Sequence, residues 1–151
     1  MLRDAVLRAH VWLLATAIPL LVRILPLPRL LCLLAGTSRR RLYRGVPAER
    51  VIAIVKHRLA RPRNMRRRAC LREGLTLYHF LRLAGLPAEV HFGVFAPSAD
   101  GGRMHGHCWV TVDGVAVSAP PRQPVAVVLE RGPGVDSAGR NTRRTGQSPD
   151  N

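Results

Sequence analysis

The sequence predicts an α+β protein, with helices first and a small antiparallel sheet after them. Three observations predict it. Residues 2–35 are apolar with leucine-rich recurrence near helical spacing. Residues 46–85 hold two stretches with helix punctuation, proline near a start and glycine or proline after an end. Residues 89–117 alternate as strands do and carry Asp113-Gly114 between apolar runs, a strong two-residue hairpin signal. A length of 151 residues suits one domain with a modest core, and a hydrophobic share of 47% excludes disorder of the whole chain.

The first element is the run LRDAVLRAHVWLLATAIPLLVRILPLPRLLCLLA. Its longest uncharged stretch, Val11 to Val22, is too short to span a bilayer. Pro19, Pro26 and Pro28 break the helical ladder, which predicts two or three short helices. Leu2, Val6, Leu13, Ala17, Leu20 and Ile24 trace the apolar face, to be laid on a partner, on the rest of the chain or on a membrane. Arg3 and Arg8 precede an apolar centre as in a signal peptide, but no clean small-x-small cleavage site follows. Residues 36–45 read as a basic linker with glycine at each end.

The stretch VPAERVIAIVKHRLAR reads as a helix with Pro47 in its first turn, Glu49 near its positive end and Arg58 and Arg61 near its negative end, stopped by Pro62. The next helix should begin just before Cys70 and end at Gly85, a good C′ residue, with Pro87 soon after. Leu71, Leu75, Tyr78 and Leu81 or Arg82 trace one face; Tyr78 reads as core and His79 as helix surface. EVHFGVFAP alternates as a strand, SADGGR is a loop, and HCWVTV-DG-VAVSA is a hairpin. VAVVLE is a short strand or helical turn. From Gly132 the chain loses apolar periodicity and reads as a disordered tail. The expected organisation is a helical lobe and linker over 1–45, a core over 46–131 and a tail over 132–151.

Charge divides the chain. Residues 1–70 hold 16 Lys and Arg against Asp4 and Glu49, whereas residues 71–151 hold 8 against 7 acids. A basic half suits an acidic partner such as nucleic acid, anionic lipid or acidic peptide. The plain alternative is a solvated arginine-rich surface. No zinc-finger spacing or aromatic run accompanies the arginines, so no nucleic-acid partner is expected. Three cysteines at wide spacing make a poor disulfide framework and suit a reducing, cytoplasmic location. Cys32, in an apolar run, reads as a small buried hydrophobe.

Cys70 and His107 carry the chemistry. A cysteine at a helix start gains from the positive helix end, which favours thiolate, and from free N–H groups that can hold an oxyanion. A histidine on a neighbouring strand can take the thiol proton and return it to a leaving amine. Trp109, two residues on, would shield the pair, Cys108 would face the core, and His105 in the loop could meet substrate. Cys70, His105, His107 and Cys108 have the atom types of a zinc site, but strand alternation sends His107 and Cys108 to opposite faces, and no metal or other cofactor is expected.

The local sequences carry a resemblance. Cys70-Leu71, Gly85-Leu86-Pro87-Ala88, Gly93-Val94, His107-Cys108-Trp109-Val110 and Asp113-Gly114 stand in the order found in the transglutaminase-like leader peptidases of lasso peptide biosynthesis. The chain resembles that family over about residues 40–120, and its arginine-dotted apolar start is similar to that family's helical lobe. The resemblance implies a papain/transglutaminase-like core with a small antiparallel sheet, and a cysteine protease that removes the leader from a ribosomally made precursor. It implies as partners the precursor peptide, a separate small leader-binding protein, since this chain has no room for that domain, and an ATP-dependent macrocyclase. The N-terminal lobe adds a peripheral membrane contact to that set.

One position departs from the family's pattern. The family has an acid about a dozen residues after the histidine, where this chain has Ala119 in VSAPP. If Asp113-Gly114 is the turn, residues 118–120 lie opposite His107. Ser118 or a backbone carbonyl is then the orienting group. Asp113 is the nearby acid, but six residues along the same strand puts it roughly 20 Å from His107. A missing acid predicts reduced turnover. The rival readings are a transglutaminase-like acyltransferase with the same Cys–His pair, a catalytically weak or dead scaffold that binds the leader-recognition protein or cyclase, and a basic nucleic-acid binder.

Overall fold

The computed structural model describes residues 2–38, 40–60, 69–95, 106–122 and 125–132. Its order is α1 (Leu2–Ile24), α2 (Leu27–Ser38), α3 (Ala48–Leu59), α4 (Ala69–Leu83), β1 (Ala88–Phe95), β2 (Gly106–Val112), β3 (Val115–Ala116) and β4 (Val125–Arg131). The fold is α+β, with four helices and a four-stranded antiparallel sheet of order β3-β2-β1-β4 among the described residues.

The first element forms two helices, within the expected number, but Pro19 lies inside α1 and does not break it, so α1 is long. The break falls at Leu25-Pro26, before α2. The helix over Arg3–Ile24, with an 18-residue window of mean hydropathy 1.8, is long and apolar enough to cross a membrane by length and composition. The stripe traced from the sequence does not face the core, one of the three placements left open for it. Leu7, Val11, Ala15 and Ile18 are each 2% exposed or less and pack toward α3 and α4, while Val6, Leu13, Leu20 and Ile24 face out.

α2 runs to Ser38, through the start of the expected linker. Cys32 is exposed on it, whereas Leu30, Leu31 and Leu34 turn inward. Tyr43, within that expected linker, is an anchor. Its N–H donates to the Leu83 carbonyl (3.1 Å), and its hydroxyl bonds His10 Nδ1 (3.0 Å).

α4 is the central helix. Leu75, Leu77, Tyr78, Phe80 and Leu81 are 1% exposed or less, because α1, α2 and α3 cover one side and β1 and β2 the other. His79 is therefore buried, not a surface residue. Its Nδ1–H donates to the Leu34 carbonyl (3.2 Å), and burial lowers its pKa to about 4. The helix stops as expected at Gly85, whose φ of 88° suits glycine. Gly85 N–H donates to Arg82 O (3.0 Å) and Leu86 N–H to Leu81 O (3.0 Å), so two otherwise orphaned carbonyls are satisfied. Residues 1–45 share one continuous buried cluster with the helices and sheet that follow. The expected tail beyond Gly132 lies outside the described residues.

The hairpin turns at Asp113 (φ 50°) and Gly114 (φ 80°), both in the left-handed region that a two-residue turn of this type requires. Thr111 pairs with Ala116 and Val112 with Val115, and Val117 N–H donates to Val110 O (2.9 Å). VAVVLE becomes strand β4, paired with β1.

Candidate active site

α4 lies on one face of the sheet, against Ala88, Val90, Phe92, Cys108 and Val110. The two come close at Gly74, where a Cβ would run into the Cys108 sulfur. Cys70 is one turn earlier on the same side of the helix, in its first turn and half-buried. The C-terminal end of α4 leads into β1 at Ala88, which pairs with Val112 at the far end of β2. The N-terminal end of α4 therefore points toward the start of β2, so Cys70 and His107 share one end of the helix–sheet sandwich.

The three thiols differ by environment. Cys108 is buried, and burial pushes its thiol pKa up, with the Cys70 and Glu73 charges adding to the effect. It is a neutral packing group. Cys32 is exposed in α2, far along the chain from the sheet. Cys70 alone among them combines a helix start with partial exposure.

His107 stands on β2 beside Cys108, and alternation turns its ring to the other face of the strand. Nε2–H donates to the backbone carbonyl of Ala119 (2.8 Å). A carbonyl can only accept, so the neutral ring carries its proton on Nε2 and leaves Nδ1 as the basic atom. β3 pairs with β2 only at Thr111 and Val112, so at the level of His107 this edge is met by the segment after β3. Cys70 lies on the α4 face of β2 and the His107 ring on the other, and the two are not hydrogen-bonded to each other in this state.

The expected candidates for the orienting group are resolved into different roles. Ser118 is not on His107: its Oγ accepts the buried Val110 N–H (2.8 Å). Asp113 sits exposed in the turn. The group on the imidazole is the Ala119 carbonyl. His105 lies outside the described residues.

Trp109 belongs to a row of rings. It stacks on His107 (centroids 6.0 Å, 18° between planes) and, on its other side, on His91 (5.2 Å, 13°), and Phe95 tilts against His107 at 6.2 Å. His91 is the cross-strand partner of Trp109. Its Nδ1–H donates to Glu130 Oε1 (3.0 Å), and Nε2 bonds the Thr111 hydroxyl (2.9 Å). Gly93, opposite His107, makes room for the row, since a Cβ there would press on Val125 and on the Trp109 ring. The sequence reading missed His91 and Phe95; Glu130, a downstream acid considered for His107, bonds His91 instead. The shared β1 period of His91 and Phe95 was legible, but their partners follow only from strand register. Among the described residues no three His, Cys, Asp or Glu side chains gather as metal ligands.

No curated protein matches the chain, and no solved structure does. A family model described as the transglutaminase-like superfamily matches residues 12–130, from within α1 to the end of the sheet. A fold of this class, with a cysteine on the central helix, a histidine on the adjoining strand and that match over most of the chain, makes this protein a member of the transglutaminase-like superfamily.

Proposed function

We propose that the protein is a cysteine peptidase that removes the leader from a lasso peptide precursor, with Cys70 as nucleophile and His107 as base. One observation carries the chemistry. The His107 ring is held by a fixed acceptor through Nε2, which leaves Nδ1 free to take the Cys70 proton. The thiolate attacks the scissile carbonyl carbon, and the tetrahedral intermediate draws on N–H groups at the start of α4. The C–N bond breaks, the imidazolium returns its proton to the leaving amine, and water hydrolyses the thioester. His107 stands on the face of β2 turned from α4, so the start of β2 has to rearrange toward the helix before the first step, as catalytic contacts commonly tighten only with substrate bound.

The choice of a lasso precursor rests on the motif order Cys-Leu, Gly-Leu-Pro-Ala, His-Cys-Trp-Val and Asp-Gly, and on membership of a superfamily that includes cysteine peptidases. That reading places the protein in the cytoplasm beside a small leader-binding protein and a macrocyclase. The test is mass spectrometry of a leader–core precursor incubated with this chain and that partner. Cleavage that is lost in Cys70→Ala and in His107→Ala supports the reading. Cleavage that survives Cys70→Ala overturns it.

A weak or inactive scaffold is favoured by a different observation, that a carbonyl and not a carboxylate faces His107. Pull-down of the partner by wild type and by Cys70→Ala, with no cleavage by either, would mark that role. Transfer of the peptide acyl group to an added amine, in place of hydrolysis, would mark an acyltransferase.

A further inference from the structure

We infer that the outward face of α1, with the groove beside it, rests on an anionic membrane surface, the helix lying in the headgroup plane. A helix packed on a soluble core ordinarily turns polar residues to water. α1 does the reverse. Its outward stripe holds Val6, Leu13, Leu20 and Ile24, each between 52% and 66% exposed, and no charge interrupts it. The apolar surface continues sideways into a groove of about 660 Å³ between α1 and α2, floored by Leu14 and Leu21 and rimmed by Leu33 and Leu42, which are 55% and 63% exposed.

Charge identifies what covers this face. Residues 1–60 carry 11 Lys and Arg against two acids, and one of those acids, Asp4, is already bonded to Arg50. Arg3, Arg8 and Arg23 are exposed along α1 and Arg29 begins the next helix, so cations border the apolar stripe at both ends. Alkyl side chains flanked by arginine suit the boundary of acyl chains and anionic headgroups, where each cation near the surface adds to the attraction. A second copy of this chain fits poorly, because the same arginines would face one another. Crossing the bilayer also fits poorly. The inward side of α1 supplies Leu7, Val11, Ala15 and Ile18 to the core, and a spanning helix would withdraw them.

The test is co-sedimentation of the full chain with vesicles of phosphatidylcholine alone and of phosphatidylcholine with a quarter phosphatidylglycerol. The expected result is binding to the anionic vesicles at least tenfold tighter, weakened by salt. Leu13→Ser with Leu20→Ser should reduce it more than tenfold while the thermal melt is kept, since both side chains are exposed. Thr16→Leu, which widens the stripe, should tighten it. Indifference to phosphatidylglycerol overturns the inference. Binding to anionic vesicles that ignores both the serine and the leucine variants overturns it too, since charge alone would then act. So does the absence of vesicle binding with loss, in the serine variant, of a complex with a soluble leader-binding protein or with a second copy of the chain.

Discussion

The Nε2 proton of His107 points at the main-chain carbonyl of Ala119, 2.8 Å away. That contact fixes the tautomer and the ring angle but supplies no negative charge to an imidazolium. An Ala119→Asp side chain, on an exposed residue at the edge of the sheet, would add that charge. The expected outcome is a rise in kcat/KM of roughly tenfold, equal to about 1.4 kcal/mol of transition-state stabilisation. Ser118→Ala should act differently. It strands the buried Val110 N–H, so its first effect is a stability loss of about 1–3 kcal/mol, read as a lower Tm. Kinetics and melts of the two variants separate these roles.

Trp109 offers its ring face to His107. An aromatic face attracts a cation and so favours the imidazolium formed when Cys70 loses its proton. Trp109→Leu keeps apolar bulk and removes that face. A drop in kcat/KM of about 3–30-fold is expected, from about 0.5–2 kcal/mol. Trp109→Phe should restore part of the rate. A uniform rise in KM at constant kcat would instead place the indole in substrate binding.

Alkylation should sort the three cysteines. With iodoacetamide at neutral pH and peptide mapping, Cys70 and the exposed Cys32 should label in the folded protein, and Cys108 only after denaturation. Cys70 should label faster than Cys32, as the proposed nucleophile. Protection of Cys70 in the folded state would remove it as nucleophile.

Gly74 and Cys108 form a close helix–sheet contact. Gly74→Ala should cost about 1–3 kcal/mol through overpacking against the sulfur. Cys108→Ala removes that sulfur, so the double variant should recover most of the loss. A double-mutant cycle on urea midpoints measures the coupling.

Acid stability should carry the mark of His79. Its pKa is lowered to about 4 by burial beneath α2, against an ordinary value of 6.5. A depressed value means that protonation favours the unfolded chain. The stability it contributes is present above about pH 6.5 and is lost as pH falls toward 4. The full effect is on the order of 3 kcal/mol. His79→Gln should flatten the difference between melts at pH 7.5 and pH 4.5 relative to wild type. An equally steep pH dependence in the variant would assign acid sensitivity to other groups.

Local patterns brought much of the fold within reach of the sequence. Gly85 ends α4 because only a residue tolerant of positive φ closes that turn, and Asp113-Gly114 sets the hairpin for the same reason. Those signals act over a few residues, so they can be read without a partner. The face of α1 could not be read in this way. It is apolar on nearly every side, and a periodicity argument then has no polar side to work against. It selected Val6, Leu13, Leu20 and Ile24, and the core took Leu7, Val11, Ala15 and Ile18. Cys32 and His79 were misread likewise, since which side of a helix is covered depends on its neighbours.

The sequence by itself determined the order of elements, the turn that sets the register of His107, and the helix start that carries Cys70. These follow from hydrogen-bonding and steric rules local to the chain. Tertiary structure alone decided that the Cys32 thiol is exposed, which atom of His107 keeps its proton, and which rings stack beside it. Each of those depends on groups brought together from distant positions, such as Gly74 against Cys108 and His91 between Trp109 and Glu130. Desolvation, close packing and hydrogen-bond partnership act through space, and the distances that govern them exist only once the helices have closed on the sheet.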